Sequence, residues 1–273
     1  MEHILSAETA ILVLSLATAG AITGILAGLF GIGGGSLIVP VLYELFRYLG
    51  VPDEIRMQLC VGTSLAIIAP TSIRSFQSHL AKGAIDLDLL KLWAAPCISG
   101  VFFGAFIARY AEPIILKIVF IAIGFIVALR MFWKMSWHMK NDLPKGLWGR
   151  LIGLVMGVLS ALMGIGGGQI STLMMNIYNR PIHQCIATSS GVGVLVSIPG
   201  VIGYIFAGWG QSGLPPFSFG YVSFLGVALF APSSVLMAPL GAKIAHQLKR
   251  RTLEVAFGAF LTVACIRFLI SLL

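Results

Sequence analysis

Long apolar runs alternate with short polar loops along this chain, and this alternation predicts membrane-spanning helices. A helix needs about 20 mostly apolar residues to cross the hydrocarbon core of a bilayer. Loops rich in Gly, Pro and charged residues divide the chain into ten segments, five in each half. The segments of the first half lie at about 9–30, 36–49, 56–80, 89–108 and 113–133, and those of the second half at about 151–163, 170–178, 183–207, 219–244 and 252–273.

The same glycine-rich break occurs once in each half, inside an apolar run. It reads Gly-Ile-Gly-Gly-Gly from Gly31, followed by Ser36, and again from Gly164, followed by Gln169. Glycine disfavours a helix by about 1 kcal/mol per residue, so we expect the helix to stop at each break and a new one to start at about Ser36 and Gln169. The first amides of such a helix are unpaired and carry the positive end of its dipole, which favours an anion.

Glycines that only let two helices approach closely are the alternative interpretation. Two matching breaks in corresponding halves favour a transporter binding site instead. The candidate residues at the breaks are Gly33, Gly34, Gly35 and Ser36, and Gly166, Gly167, Gly168 and Gln169.

The repeat extends beyond the glycines. Cys60-Val61-Gly62-Thr63-Ser64 matches Cys185-Ile186-Ala187-Thr188-Ser189, and Arg130 matches Arg267. We therefore predict an all-α polytopic membrane protein of two inverted repeats with 8–10 transmembrane segments. The repeats span 1–133 and 149–273, with a basic cytoplasmic linker at 134–148.

Composition supports a membrane protein and charge predicts its orientation. The chain is 58% hydrophobic and 10% charged, with a mean hydropathy of +0.97. A cytoplasmic linker puts about twelve of the 18 Lys and Arg residues inside. Because the basic residues lie in separate loops, the net charge of +8 indicates a plasma (inner) membrane protein rather than nucleic-acid binding. An odd number of segments per half then inverts the halves and places both termini outside.

The segments after the breaks, at about 36–49 and 170–178, are too short for a comfortable crossing. The sequence leaves three possibilities for these segments, namely a tilted crossing, a short crossing or a re-entrant segment.

Polar side chains within apolar runs are the remaining candidates, because they are costly in a membrane. On the third segment Thr63, Arg74 and Gln77 share one helical face. A guanidinium can bind an oxyanion through two parallel hydrogen bonds, although Arg74 could instead reach the membrane surface with its long side chain.

The pairs Thr63-Ser64 and Thr188-Ser189 supply hydroxyl donors in both halves. Their alternative role is hydrogen bonding within or between helices. The four cysteines stand singly in apolar segments, so we expect buried free thiols and neither a metal nor a cofactor site.

The paired sequences from Leu29 and from Leu162, the Thr-Ser pairs and the two-halved layout resemble the TauE/SafE family of sulfite exporters. The resemblance implies an inner-membrane carrier of sulfite or small organosulfonates, usually outward and coupled to the membrane potential or to protons. Ser36 and Gln169 differ, so the two helix starts are not chemically identical.

Our main hypothesis is therefore a secondary transporter, not an enzyme, for a small sulfur oxyanion or sulfonate that is bound near the middle of the bilayer. A passive anion channel is the alternative. An intramembrane hydrolase using a serine near His79 is remote, because the chain has no Gly-x-Ser-x-Gly motif. The carried anion, the direction, the coupling ion and a homo-oligomeric state stay open.

Overall fold

A computed structural model of the chain describes residues 14–27, 35–133, 143–248 and 250–272. These residues form ten helices and one two-stranded antiparallel hairpin. The helices are α1 Leu14–Ala27, α2 Gly35–Tyr48, α3 Asp53–Ala81, α4 Leu87–Tyr110, α5 Pro113–Trp133, α6 Gly146–Met163, α7 Gly168–Ile177, α8 Ile182–Ala207, α9 Phe224–Gln247 and α10 Arg250–Ile270. The hairpin strands are β1 Ser218–Phe219 and β2 Val222–Ser223.

Seven of the described helices are long and apolar enough to cross a membrane, namely α3, α4, α5, α6, α8, α9 and α10. The predicted all-α polytopic membrane fold is confirmed. Helices α2 and α7, which follow the two breaks, have only 14 and 10 residues. They begin at Gly35 and Gly168, each one residue before the predicted start. The hairpin was not predicted, because its strands of two residues are too short to give a periodic pattern.

Contacts between helices fix their directions. Gly62 of α3 lies against Tyr204 of α8, and Gly193 lies against Ser72, so α3 and α8 are antiparallel. At the start of α10, Arg251 donates to the carbonyl oxygens of the last residues of α5. We call this end of the bundle, where α5 ends and α6 and α10 begin, the linker face. We call the opposite end, where α3 and α5 begin and α10 ends, the far face.

Helices α6 and α7 form a pair that enters the bundle from the linker face and returns to the same face. Helix α6 runs parallel to α4, since Gly153 packs on Trp93 and Gly157 on Cys97. Helix α7 ends beside the last turn of α5, where Arg130 Nη2 donates to Asn176 Oδ1 at 2.8 Å. The turn between the two helices therefore lies inside the bundle, as a re-entrant hairpin.

One large core cluster joins both halves of the chain. Its largest fully buried members include Trp93, Phe120, Tyr204 and Phe230. The four cysteines, Cys60, Cys97, Cys185 and Cys265, are free and buried, which confirms the expectation of buried free thiols.

Contacts recur in both halves at corresponding positions. Gly20 and Gly153 each lie eleven residues before the first glycine of their break. Gly20 packs on Phe230, the seventh residue of α9, whereas Gly153 packs on Trp93, the seventh residue of α4. Each half therefore places its pre-break helix on the fourth segment of the other half.

Candidate functional site

The turn between α6 and α7 is built from left-handed glycines. Gly164 ends α6 with φ 70° and its amide donates to the carbonyl oxygen of Ser160 at 2.9 Å. Gly166 has φ 64°, and Gly167, the residue before α7, has φ 73°. Residues that carry a side chain disfavour this left-handed region of φ, which explains why the break contains glycines.

The turn is packed between α3 and α8, without room for a side chain at Gly166 or Gly167. A Cβ on Gly166 would lie 2.8 Å from Cγ2 of Ile68, and one on Gly167 would lie 2.8 Å from Cγ2 of Val196. Ser64 Oγ lies 2.8 Å from the carbonyl oxygen of Gly164 and donates to it from α3. The backbone that left the helix is thus enclosed by protein, as the bilayer requires.

The start of α2 meets this turn. A Cβ on Gly35 would lie 2.7 Å from the carbonyl oxygen of Ile165. Gln169 Nε2 donates to Ser36 Oγ at 2.8 Å, and Ser36 is 2% exposed. The first turns of α2 and α7 therefore lie side by side. The predicted site residues Gly33 and Gly34 lie outside the described residues.

The N-terminus of α7 has three backbone amides that no described residue binds. No side chain caps it, and among the described residues no acceptor bonds the amides of Gly168, Gln169 or Ile170. A Cβ on Gly168 would meet nothing within 4 Å, and Gly168 and Gln169 are half-buried. Free amides, a helix dipole and open space together suit a small anion.

The two threonines of the repeated Thr-Ser pairs bond to protein backbone. Thr63 Oγ1 accepts from the amide of Ser223 at 3.0 Å, and Thr188 Oγ1 accepts from the amide of Asp86 at 2.9 Å. Thr63 lies towards the far face and Thr188 at the linker face, so the structure does not bring them to one site. Ser189 Oγ donates to the carbonyl oxygen of Ile186 at 2.8 Å within its own helix.

Arg74 and Gln77 are exposed on the part of α3 that leads to the linker face. Neither makes a hydrogen bond or ion pair within the described part of the chain. Ile68 of the same helix faces the turn at Gly166. Six residues further on, Arg74 is displaced by about 9 Å along the helix and about 240° around it. Its role in anion binding stays a prediction.

Sequence reasoning missed Ser160, whose side chain lies against the turn. Its Oγ is fully buried, has no hydrogen-bond partner among residues 14–27, 35–133, 143–248 and 250–272, and lies 3.3 Å from the position of a Cβ on Gly167. Its only sequence signal is a hydroxyl four residues before the break, where the first half has Ala27. A single serine in an apolar run does not stand out without the fold.

A second polar cluster, also missed, lies at the far face. Lys117 of α5 is 2% exposed and its Nζ lies 3.0 Å from Asp53 Oδ2. Tyr43 Oη donates to Asp53 Oδ1 at 2.8 Å, and Arg56 lies 3.0 Å from the same oxygen. Arg267 binds Glu44 with Nη2 at 2.8 Å from both carboxylate oxygens. These contacts tie the end of α2 to α3, α5 and α10.

Seven apolar crossing helices around a buried re-entrant turn define a multi-pass membrane protein. Among the described residues, no group of three or more His, Cys, Asp or Glu side chains could hold a metal ion. The family model described as sulfite exporter TauE/SafE matches residues 16–268. The chain belongs to this family of plasma-membrane transporters.

Similar proteins carry transporter names. A probable membrane transporter protein of Haemophilus influenzae is 34% identical over 253 residues, which cover 90% of this chain and 94% of the relative. One of Methanocaldococcus jannaschii is 31% identical over 256 residues, covering 89% and 90%. The protein YunE of Bacillus subtilis, also named a probable membrane transporter, is 24% identical over 258 residues, covering 87% and 90%. No solved structure shows significant similarity to the chain.

Proposed function

We propose that this protein is a secondary transporter that exports a small sulfur-containing anion, sulfite or an organosulfonate, and that binds it where α2 and α7 begin. The meeting of two helix N-termini inside the bundle is the observation that carries the proposal. Gln169 donates a hydrogen bond to Ser36 there, and no described residue binds the amides at the start of α7. The family description supports sulfite, and the relatives' names support transport.

Inverted repeats are the second part of the proposal. The reciprocal bonds of Thr63 to Ser223 and of Thr188 to Asp86 support them. Ser223 and Asp86 also correspond to each other. Each directly precedes a helix, and its side-chain oxygen accepts a hydrogen bond from the backbone amide three residues later. Such halves can exchange conformations, which gives alternating access from the two faces.

The polar contacts of α2 and α7 suggest how the two faces are closed. The end of α2 is held at the far face by Glu44 and Arg267, whereas the end of α7 is held at the linker face by Asn176 and Arg130. Arg130 and Arg267 are equivalent residues. Alternating access would break one of these contacts at a time, so that the site opens to one face only.

Arg74 lies between the site and the linker face, on an exposed polar stripe with Gln77. We assign it to attracting the anion before binding, since an exposed cation acts over several ångströms at physiological salt.

Flux measurements test the transporter against a passive channel. Purified protein in liposomes should take up labelled sulfite with saturation, and unlabelled sulfite on the other side should accelerate uptake by counterflow. A Gly167→Leu variant in the same liposomes is the transport-negative control, because the leucine side chain would fill the turn between α6 and α7. Ionic conductance without saturation or counterflow would contradict a carrier and support a channel. If neither sulfite nor methanesulfonate is transported, the proposed substrate class is contradicted.

A further inference from the structure

Ser160 carries a hydroxyl that the described protein leaves unsatisfied. The side chain is 0% exposed and its Oγ has no hydrogen-bond partner. A serine in a helix commonly bonds to a carbonyl oxygen of the preceding turn, as Ser64 and Ser171 do here. A buried polar atom without a partner calls for a water, an ion or a ligand.

This hydroxyl faces the start of α7. Its Oγ lies 3.3 Å from the position of a Cβ on Gly167, the residue that precedes the helix. The amides of Gly168, Gln169 and Ile170, which have no acceptor in the described part of the chain, follow directly. By contrast, the nearby hydroxyl of Ser171 is satisfied, since it donates to the carbonyl oxygen of Gly167 at 2.9 Å. Ser160 therefore adds one free hydroxyl donor to a group of free amides.

The described side chains nearest to the turn carry no charge. The described side chains against Gly164, Gly166 and Gly167 are Ser64, Val39, Ile68, Val192, Val196 and Ser160. Gln169 and Ser36, which join α7 to α2, are also neutral. Among these described groups, positive charge comes from the helix ends, at about +0.5 for each N-terminus. Two adjacent N-termini thus supply about one positive charge.

We infer that this turn, with Ser160 as a ligand, binds a singly charged oxyanion in preference to a doubly charged one; the inference rests on the proposed anion transport. Neutral donors and two helix ends balance about one negative charge. A second charge would stay uncompensated inside the bundle, where an unpaired ion is costly. The preferred class is therefore a sulfonate or a hydrogen-bearing oxyanion such as hydrogen sulfite, and sulfate is disfavoured.

Methanesulfonate and sulfate test the charge preference, because both are tetrahedral. Sulfate has an oxygen and a second negative charge where methanesulfonate has a methyl group. Isothermal titration of the purified full-length protein at pH 7 and matched ionic strength should show methanesulfonate binding at least tenfold more tightly. Equal or tighter binding of sulfate would overturn the inference while leaving anion transport standing. Failure to bind sulfite, methanesulfonate and sulfate alike would contradict the proposed function itself.

Sulfite offers a second test in the wild-type protein, which no folding defect can disturb. Its affinity should fall as pH rises through the second ionisation of sulfite, while that of methanesulfonate stays constant. Parallel loss of both affinities would assign the pH effect to the protein and overturn the charge preference.

The role of Ser160 is tested with Ser160→Ala, which removes the hydroxyl and leaves a small side chain. We expect methanesulfonate to bind about five- to tenfold more weakly at an unchanged melting temperature. Thr23→Val is the matched control, since Thr23 is also fully buried with an unpartnered hydroxyl but lies on α1. Unchanged affinity in Ser160→Ala, or an equal loss in Thr23→Val, would remove Ser160 from the site.

Discussion

Gln169 and Ser36 hold the same place in the two halves, directly after the last glycine of each break, and they hydrogen-bond to each other at 2.8 Å. Equivalent residues of two repeats meet where the axis that relates the repeats passes between them. Under the proposed inverted repeats, the axis therefore crosses the candidate site. An anion at this point would contact both halves at once, so movement of one half against the other would change its access.

A carboxylate at position 169 should weaken anion binding. Gln169→Glu keeps the size of the side chain but puts a negative charge beside the start of α7, so we expect at least a tenfold loss of methanesulfonate affinity by titration calorimetry. Gln211→Glu is the matched control, because Gln211 lies exposed in the loop between α8 and β1. Similar affinities of Gln169→Glu and the wild type would place the anion elsewhere.

Substitutions at two neighbouring glycines should distinguish a role in packing from a role in anion binding. Gly167→Ala forces a side chain into a left-handed conformation and towards Val196, so we expect a loss of about 1 to 3 kcal/mol in the free energy of unfolding.

Gly168→Ala should keep or raise stability, by up to about 1 kcal/mol, because the position is helical and its Cβ meets no protein atom. Its methyl group would nevertheless occupy space beside the free amides, so we expect transport to fall by more than fivefold. Thermal unfolding and liposome uptake measure the two effects. Wild-type transport in Gly168→Ala would argue against an anion at these amides.

The sequence predicted the class and the layout of the fold more fully than the chemistry of the site. Apolar runs located the long helices, and glycine placed the starts of α2 and α7 to within one residue, because helix propensity is a local property. The roles of hydroxyls depend on packing between distant segments. Thr63 and Thr188 look like donors in the sequence, yet in the fold they accept hydrogen bonds from backbone amides. Ser160 looks unremarkable in the sequence, yet the part of the chain that the structure describes gives its hydroxyl no partner.

Thr63 and Thr188 should contribute to stability to a similar extent. Thr63→Val and Thr188→Val each remove an acceptor and leave a backbone amide unpaired, which costs about 1 to 3 kcal/mol. We expect both variants to melt at lower temperatures while methanesulfonate affinity stays within twofold of the wild type. Thr262→Val is a suitable control, because Thr262 Oγ1 only donates to a carbonyl oxygen of its own helix. A loss of affinity without a loss of stability would return these threonines to the binding site.

Arg74 should act through its charge rather than through two-pronged hydrogen bonding. Arg74→Ala should raise the KM for anion entering from the linker face about three- to tenfold at low salt, and less at high salt, where the field is screened. The KM of Arg74→Lys should stay close to that of the wild type. A large loss in Arg74→Lys, independent of salt, would instead indicate direct bidentate binding.

The orientation of the bundle can be measured with two introduced cysteines. By the order of the segments along the sequence, about twelve of the 18 basic residues fall in the linker or in the loops and helix ends on the same side as it, so we expect the linker face in the cytoplasm. Ala81 is exposed at the end of α3 on the linker face, and Gln211 is exposed beyond the end of α8 on the far face. The native cysteines are all buried, so unmodified protein supplies the blank for labelling. In intact cells a membrane-impermeant maleimide should label Gln211→Cys, whereas Ala81→Cys should react only after permeabilisation. The reverse pattern would invert the assignment of faces, and labelling of both positions from outside would contradict the antiparallel arrangement of α3 and α8 across the membrane.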